Sequence, residues 1–390
     1  MAARLPIYLD HNATTPLDPR VLEAMLPALT RDFGNPASQS HAFGWRAEAR
    51  VKEAREALAA ALGGKPEEVV FTSGATESDA LAVVGAARAY REKGDHVVTS
   101  AIEHRAVLDS ARSLEREGFR VTLLPPGADG VTPVESVRAA LTERTVLVSV
   151  MAANNELGTL NPVAAIGALC KEKGVLFHTD AVQAFGKVPF DVEATGADLV
   201  SITAHKVYGP KGVGALWVRS KGPRVRLEPL MHGGGHERGL RPGTLNVPGI
   251  VGFGAAARIA IAGIEAEGKR LALLRDRLFE ELAARLGNVR LNGHPTERLP
   301  GTLNVAFDGV DGEGLIASLR DVAVSSGAAC TSAAGGPSHV LAGIGLPPAL
   351  VRASIRFSLG RFTTLEEVEV AAEKVERAVL DRRESDPLRA

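Results

Sequence analysis

The chain has 390 residues, of which 45% are hydrophobic and 23% charged, and its formal net charge is -1. A chain of this length can bury a large core and is expected to form two domains. Because the charges are balanced and spread along the chain, the composition points to no nucleic-acid partner and no membrane surface. The two cysteines, Cys170 and Cys330, form no CxxC pair. We therefore expect a reducing, cytoplasmic compartment and no disulfide framework.

Short apolar runs alternate with helix-like segments in the first half of the chain. The predicted strands are 69–72, 97–99, 121–124, 146–150, 175–177, 199–202 and 214–218. The helices predicted between them include 77–92, 105–117 and 163–173. Continuously apolar strands joined by helices indicate a mostly parallel, seven-stranded sheet with helices on both faces, which is the α/β class.

Other elements flank this core. An Ala/Glu/Arg/Lys-rich helix is predicted over 45–62, closed by the glycines that follow it. The later part of the chain predicts one long helix or a broken pair, then short strands and helices, at 255–286, 302–307, 312–319, 354–357 and 365–380. We expect a large domain over 15–255. We expect 1–14 and 256–390 to form a smaller α+β domain.

The segment 201–212 places Lys206 at the end of a buried strand, just before a glycine- and proline-containing turn. Most lysines in turns are simply exposed, and this segment alone would favour that interpretation. At a desolvated strand end, however, the neutral amine is favoured, and it can form a Schiff base with an aldehyde. A neighbouring strand ends near Asp180. A lysine imine and a carboxylate at the pyridinium nitrogen are what pyridoxal phosphate requires.

The segment 71–77 runs from a strand through Gly74 into a helix. Backbone N–H groups at such a helix start, with the Thr76 hydroxyl, can bind phosphate. An ordinary helix cap by Ser73 or Thr76 explains the same residues about as well. No lysine follows as in a nucleotide P-loop.

Polar residues follow several of the predicted parallel strands at one edge of the sheet. Ligand sites form where the carboxyl ends of such strands meet. The residues so delivered are Thr76, His104, Asn155, Asp180 and Lys206. Finding all five residues at one edge by chance is much less expected than finding any single one of them there.

Three further residues, Cys330, Cys170 and Arg356, have different predicted roles. Cys330 lies in a segment of small residues, as a thiol nucleophile that travels to a partner would require. Cys170 lies on a predicted helix and is expected to be an inert packing residue. Arg356, on a short strand, could pair with a substrate carboxylate or form a structural salt bridge. The histidines and cysteines match no metal-site pattern, and we expect no resident metal.

Taken together, the motifs resemble those of the class V aminotransferase-like enzymes of PLP fold type I, and specifically the cysteine desulfurases of the NifS/IscS type. The resemblance runs along the whole chain. It is carried by Tyr8-Leu-Asp-His-Asn-Ala-Thr-Thr15, Gly34-Asn-Pro36, Phe71-Thr-Ser-Gly-Ala-Thr-Glu77, Glu103-His104, Asn154-Asn-Glu156, Asp180-Ala-Val-Gln183, Ala204-His-Lys206, Gly233-Gly-Gly-His-Glu237, Arg241-Pro-Gly-Thr244 and Ser326-Gly-Ala-Ala-Cys330.

The resemblance implies a role for each matching residue. It makes Lys206 the Schiff-base lysine, Asp180 the pyridinium partner and His104 the residue that stacks on the ring. Asn155 and Gln183 would bond near the phenolic oxygen, and Arg356, with Asn155, would bind the substrate. The phosphate would be held by Ala75, Thr76, Thr203 and His205. Thr244 would reach the phosphate of a neighbouring subunit, which implies a homodimer.

The implied activity is the conversion of L-cysteine to L-alanine, with the sulfur left as a persulfide on Cys330. The sulfur would pass to an acceptor such as an iron–sulfur scaffold protein. Thr203 stands where many relatives have serine, and the chain stops soon after its last helix, which leaves the acceptor open. Whether Cys330 also ligates a cluster during transfer is equally open.

Three alternatives remain on the sequence. A selenocysteine or cysteine-sulfinate lyase on the same scaffold would need no thiol nucleophile. A plain aminotransferase would consume an α-keto acid and release no sulfide. A non-catalytic sulfur carrier would take up no cofactor, although the intact lysine, acid and phosphate-site residues argue against it.

Overall fold

The computed structural model describes residues 5–222, 224–310, 312–326 and 336–384, and the structural statements below refer to these residues. The predicted small-residue segment around Cys330 lies outside them, so nothing below concerns its structure.

The strands of the described chain fall into three sheets. Their bounds are β1 Ile7–Tyr8, β2 Val69–Thr72, β3 His96–Ser100, β4 Arg120–Leu124, β5 Thr145–Ser149, β6 Leu176–Asp180, β7 Leu199–Thr203, β8 Gly214–Val218, β9 Val289–Leu291, β10 Thr302–Phe307, β11 Val322–Ala323, β12 Ser325–Ser326 and β13 Ser354–Ser358.

The α-helices vary from one turn to a rod of 40 residues. Their bounds are α1 Pro19–Thr30, α2 Ala42–Leu62, α3 Ala75–Ala80, α4 Ala86–Ala89, α5 Arg105–Glu115, α6 Val134–Ala140, α7 Val163–Lys173, α8 Val192–Thr195, α9 Val247–Leu286, α10 Gly312–Ser318, α11 His339–Gly343, α12 Pro348–Arg352 and α13 Leu365–Glu384.

The largest sheet has seven strands in the order β2-β8-β7-β6-β5-β3-β4. The strands from β7 to β4 pair in parallel, which confirms the predicted mostly parallel sheet. β8 runs antiparallel to both of its neighbours. The link from β7 to β8 holds only the short turn around Lys206, and a parallel return would need a longer crossover.

Several element bounds differ from the sequence predictions. The helix predicted over 77–92 starts at Ala75 and contains a π-helical turn, Leu81–Gly85, between α3 and α4. The segment predicted as one long helix or a broken pair is continuous and begins at Val247, before residue 255. The strand predicted over 175–177 extends to Asp180, so this carboxylate belongs to the strand end itself.

Helices cover both faces of the large sheet. One face packs against α1, α2, α7 and the first half of α9, with Phe185 and Phe253 buried between them. The other face packs against the helical segment 75–89 and α5. By length and composition α9 could cross a membrane, but most of its apolar stretch is buried inside the protein. We therefore interpret α9 as a core helix.

A second core lies beside a four-stranded antiparallel sheet, β12-β13-β10-β9. It gathers Ile7 and Leu9 from the amino-terminal segment, Leu278 from the second half of α9, and residues of α13. Ile7 and Leu9 therefore pack with the last third of the chain. The predicted domain boundary at residue 255 falls inside α9, which packs against both cores, and the division itself stays a prediction.

Two glycines of α9 provide a test of this packing. A Cβ at Gly254 would lie 2.8 Å from the Ala54 Cα of α2, whereas at Gly263 it would meet nothing within 4 Å. Gly254→Ala is expected to lower the free energy of unfolding by about 1–3 kcal/mol through overpacking. Gly263→Ala is expected to raise it by about 0.5–1 kcal/mol through helix propensity. Urea unfolding of both variants would measure this, and equal effects at the two sites would contradict the close α2–α9 contact.

Candidate active site

A cavity of about 460 Å³ opens at the carboxyl edge of the large sheet. This volume suits a small organic cofactor. Nine of the residues predicted for a cofactor site line it: Ala75, Thr76, His104, Asn155, Asp180, Gln183, Thr203, His205 and Lys206. The structure therefore brings these residues together at one cavity, and the role of each stays a prediction.

The backbone at this edge is packed closely. In the sheet register Gly214 lies opposite Thr72 on one side and opposite Thr203 on the other. A Cβ on Gly214 would lie 2.8 Å from the Gly74 Cα. Glycine at 214 therefore lets the helix start at Ala75 and the turn that carries Lys206 border one cavity.

Lys206 lies in the 3-10 turn Ala204–Lys206 after β7. Its Nζ donates to the backbone oxygens of Asn12 and Ala13, the latter at 2.6 Å. Further contacts tie this amino-terminal segment to the lysine turn, since Thr15 Oγ1 donates to His205 O at 2.9 Å. The amino-terminal segment therefore forms one wall of the cavity.

Asp180 lies on the cavity floor at the end of β6 and is only 5% exposed. Burial raises the pKa of its carboxyl to about 6, while the Val182 N–H, 2.9 Å away, and the Lys206 charge oppose the increase. A nearby cation would therefore stabilise its ionised form. A buried carboxylate of this kind suits a protonated ring nitrogen.

Behind Asp180 lies a buried polar layer. Burial and the Asp180 charge raise the pKa of Asp79 well above its usual range, and burial lowers the pKa of His178 to about 3. His178 is therefore neutral at pH 7, and its 3.6 Å contact with Asp79 is not an ion pair. His178 bridges Ser149 Oγ and Ser201 Oγ at 2.8 and 3.0 Å. Asp79 and Asp180 interact through their charges within this buried layer.

His104 is the N-cap of α5 as well as part of the cavity wall. Its Nδ1 accepts a hydrogen bond from the Ala106 N–H at 3.1 Å. Burial first, and then the charges of Lys206 and His339, lower the pKa of His104 to about 4. The ring is therefore neutral at pH 7 and its orientation is fixed by the cap, so the capping and stacking interpretations are compatible.

The start of α3 also lines the cavity. No side chain caps this helix start, so capping by Ser73 or Thr76, the alternative kept open on the sequence, is not what the structure contains. The uncapped N–H groups of the first turn can bind an anion. Glu77, one residue beyond Thr76, pairs with Arg241 at 2.8 Å. This ion pair fixes the segment 241–244 beside the helix start.

Arg356 lies behind Asn155, and the guanidinium is almost fully buried. It donates to Asn155 O at 2.9 Å and forms an ion pair of 2.7 Å with Asp10. Its Nε is buried without a partner among the described residues. The structure thus contains the salt bridge that the sequence left as one of two interpretations.

Neither Thr244 nor Cys170 lines the cavity. Thr244 is exposed on the surface, and Cys330 lies outside the described residues. Cys170 is buried in the core, where burial raises the pKa of its thiol to about 12. The prediction that Cys170 is an inert packing residue agrees with this placement.

Comparison with known proteins decides the family. The family model "Aminotransferase class-V" matches residues 7–370. Proteins named cysteine desulfurase IscS, from Anaeromyxobacter dehalogenans and Azotobacter vinelandii, are each 57% identical to this chain over 99% of it and 95% of their own length. A solved NifS-like protein superimposes with a TM-score of 0.90 at 38% identity, over 97% of this chain and all of the other.

The chain belongs to the class V aminotransferase family, among the cysteine desulfurases of the IscS type. Enzymes of this family use pyridoxal phosphate, and the cavity fits that cofactor. It combines an amine, a buried carboxylate and an uncapped helix start. The side-chain oxygen of Asn155 is buried with no partner among the described residues. The Asn155 amide therefore has unused hydrogen-bonding capacity for a bound molecule.

Sequence reasoning gave no role to several residues of this desulfurase site. Asn12 and Thr14 line the cavity, and Lys187 donates to Gln183 Oε1. The motif at 8–15 was part of the family resemblance, which was a signal for the first two. Lys187 has no such signal, because its importance depends on how the turn after β6 folds back on the amino-terminal segment.

The buried Asp180 carboxyl should make the cofactor-free protein pH-sensitive. Its folded pKa of about 6 exceeds the ordinary 3.8, so folding takes up a proton between these pH values. Wild-type stability therefore falls, relative to Asp180→Asn, as the pH rises through about 6. At pH 8 the variant is expected to be more stable by about 1–3 kcal/mol, and the difference should vanish near pH 3.5. Urea unfolding of the apoprotein at several pH values measures this.

Asp109→Asn provides the matched control, because the Asp109 side chain is 64% exposed. It should change stability little across the same range. An Asp180→Asn apoprotein that is no more stable than wild type at pH 8 would contradict the desolvated state of this carboxyl.

Proposed function

We propose that the protein converts L-cysteine to L-alanine and leaves the sulfane sulfur as a persulfide on Cys330. The carrying observation is that Lys206, Asp180 and an uncapped helix start border one cavity. The full-length similarity to enzymes named cysteine desulfurase IscS supports this activity.

Bound pyridoxal phosphate supplies an electron sink for the electron pair released when the substrate α-carbon loses its proton. Lys206 would hold the cofactor and then carry that proton on Nζ. Asp180 keeps the ring nitrogen protonated from the cavity floor. His104, held neutral and fixed as a helix cap, covers the ring face.

Hydrogen-bond donors that line the cavity would orient the cofactor. The first-turn N–H groups from Ala75, with the side chains of Thr76, Thr203 and His205, would hold the phosphate. His205 Nδ1 lies 3.1 Å from Thr14 Oγ1, which leaves Nε2 for the cofactor side. The amides of Asn155 and Gln183 would bond near the phenolic oxygen.

Arg356, with Asn155, would bind the substrate carboxylate. Its side chain is 1% exposed and already paired with Asp10. A bidentate pair with substrate therefore requires the Asp10 contact to open or shift. Because Arg356 also donates to Asn155 O, a substrate held there would lie next to the proposed cofactor contacts.

The sulfur step balances without an external reductant. The Cys330 thiolate attacks the substrate sulfur, a sulfur–sulfur bond forms and the carbon–sulfur bond breaks. The electron pair stays with the former substrate carbon, which takes up a proton to give alanine. The other cysteine, Cys170, cannot serve, because it is buried and its thiol pKa is about 12.

Cys330→Ala tests this step. The wild type is expected to release alanine and sulfide in equal amounts from L-cysteine with a thiol reductant, and the variant should lose at least about 100-fold of both, since no other exposed thiol replaces the nucleophile. Cys170→Ala is the matched control and should keep the activity. Alanine production that survives in Cys330→Ala would favour the alternative, a selenocysteine or cysteine-sulfinate lyase on the same scaffold.

We further propose that the enzyme is a cytoplasmic homodimer that delivers sulfur to an acceptor such as an iron–sulfur scaffold protein. Thr244 is exposed, as a residue reaching a neighbouring subunit's phosphate must be. An apolar surface supports the dimer: Leu22, Leu26 and Leu29 are exposed on α1, at spacings that share one helix face. Phe33 and Phe43, with rings 5.3 Å apart, are also exposed nearby along the chain.

A further inference from the structure

Lys187 is a second lysine close to the proposed catalytic one. It lies four residues after Gln183, in the turn that follows β6, and the two side chains are in contact. Its Nζ donates to Gln183 Oε1 at 2.6 Å and to Asn12 Oδ1 at 3.2 Å. Among the described residues no carboxylate lies within ion-pair distance of Nζ. An amide oxygen is thus the nearest acceptor of this ammonium group.

Lys187 is held in this position at an energetic cost. Burial first, and then the charges of Lys206 and Arg356, lower the pKa of Lys187 to about 7, while Glu267 opposes them. A lysine that served only for solubility would extend into solvent. The two short contacts to neutral oxygens are therefore the interactions that retain this side chain inside.

The contact with Lys187 decides which way the Gln183 amide faces. The two ends of a glutamine amide have the same shape but opposite hydrogen-bonding character. In the structure Lys187 Nζ donates to Oε1, so the NH₂ end of the amide is directed elsewhere. Accordingly, Gln183 Nε2 donates to Asn12 O at 3.0 Å, and Asn12 O is the only acceptor found for it in the described chain. The second hydrogen on Gln183 Nε2 is therefore available to an acceptor in the cavity.

We propose that Lys187 is a positioning residue that fixes the Gln183 amide with its NH₂ end toward the cofactor cavity. This rests on the proposed function, in which Gln183 donates to the phenolic oxygen of pyridoxal phosphate. That oxygen is an acceptor when ionised, so an amide turned the other way would oppose it with a second acceptor. Lys187 thereby acts through Gln183 and not by contact with the cofactor.

The affinity of the full-length protein for pyridoxal phosphate tests the proposal, measured by titrating the cofactor's long-wavelength absorbance. Lys187→Met should raise the dissociation constant about 10-fold, within the range of coupled polar neighbours. Lys187→Arg, which also has only donors, should stay within about 2-fold of wild type. Gln183→Ala should weaken binding about 10-fold, and adding Lys187→Met to it should cause little further change.

The outcomes separate the inference from the function on which it rests. If Lys187→Met binds the cofactor like wild type, or weakens binding equally with and without Gln183, then Lys187 does not act through the amide and the inference is wrong. If Gln183→Ala itself binds normally, then the proposed role of Gln183 fails and the inference with it. In both cases sulfide release dependent on Cys330 can still hold.

Gln183→Glu provides a probe that leaves Lys187 in place. The carboxylate keeps the Lys187 contact as an ion pair but has no N–H to donate. It should weaken cofactor binding at least as much as Gln183→Ala. Wild-type affinity in Gln183→Glu would overturn the inference, because an acceptor would then serve as well as the donor.

Discussion

The site depends on burying opposite charges together at the carboxyl edge of the large sheet. Asp180 is 5% exposed, and its pKa of about 6 reflects the energetic cost of holding a carboxylate there. The Lys206 charge offsets part of that cost, and the cofactor's ring nitrogen would offset more. The apoprotein is therefore less stable than its core would permit, which is usual where binding sites are preorganised.

The amino-terminal segment closes this site and joins it to the smaller sheet. Asn12 O accepts from Lys206 and from Gln183. The side-chain Nδ2 of Asn12 donates to Thr302 Oγ1 of β10 at 2.9 Å. The backbone N–H of Asn12 donates to Ser358 Oγ of β13 at 2.9 Å. Asn12 therefore links three parts of the molecule: the lysine turn, the Gln183 amide and the sheet that contains Arg356. A shift of the smaller sheet would therefore move Asn12 and change its hydrogen bonds with Lys206 and Gln183 at the cavity.

Much of the fold and of the candidate site could be predicted from the sequence, because buried parallel strands appear as continuous apolar runs. Their continuously apolar runs predicted the large sheet and, with it, the edge where His104, Asn155 and Lys206 meet. The antiparallel β8 was not predicted, because its direction depends on the short connection after Lys206. The Arg356–Asp10 ion pair joins segments that are distant in sequence. The Lys187–Gln183 contact depends on how tertiary packing folds the turn after β6. No local sequence pattern indicates either contact.

The central claim is that Lys206, and no other lysine near the cavity, carries the cofactor. Borohydride reduction of the purified protein with pyridoxal phosphate would fix any lysine imine as a stable secondary amine. Peptide mapping by mass spectrometry would then locate it. We expect one phosphopyridoxyl group per chain, on the peptide that contains Lys206. A label on Lys187 or Lys211, or no label on a protein that binds the cofactor, would contradict the account.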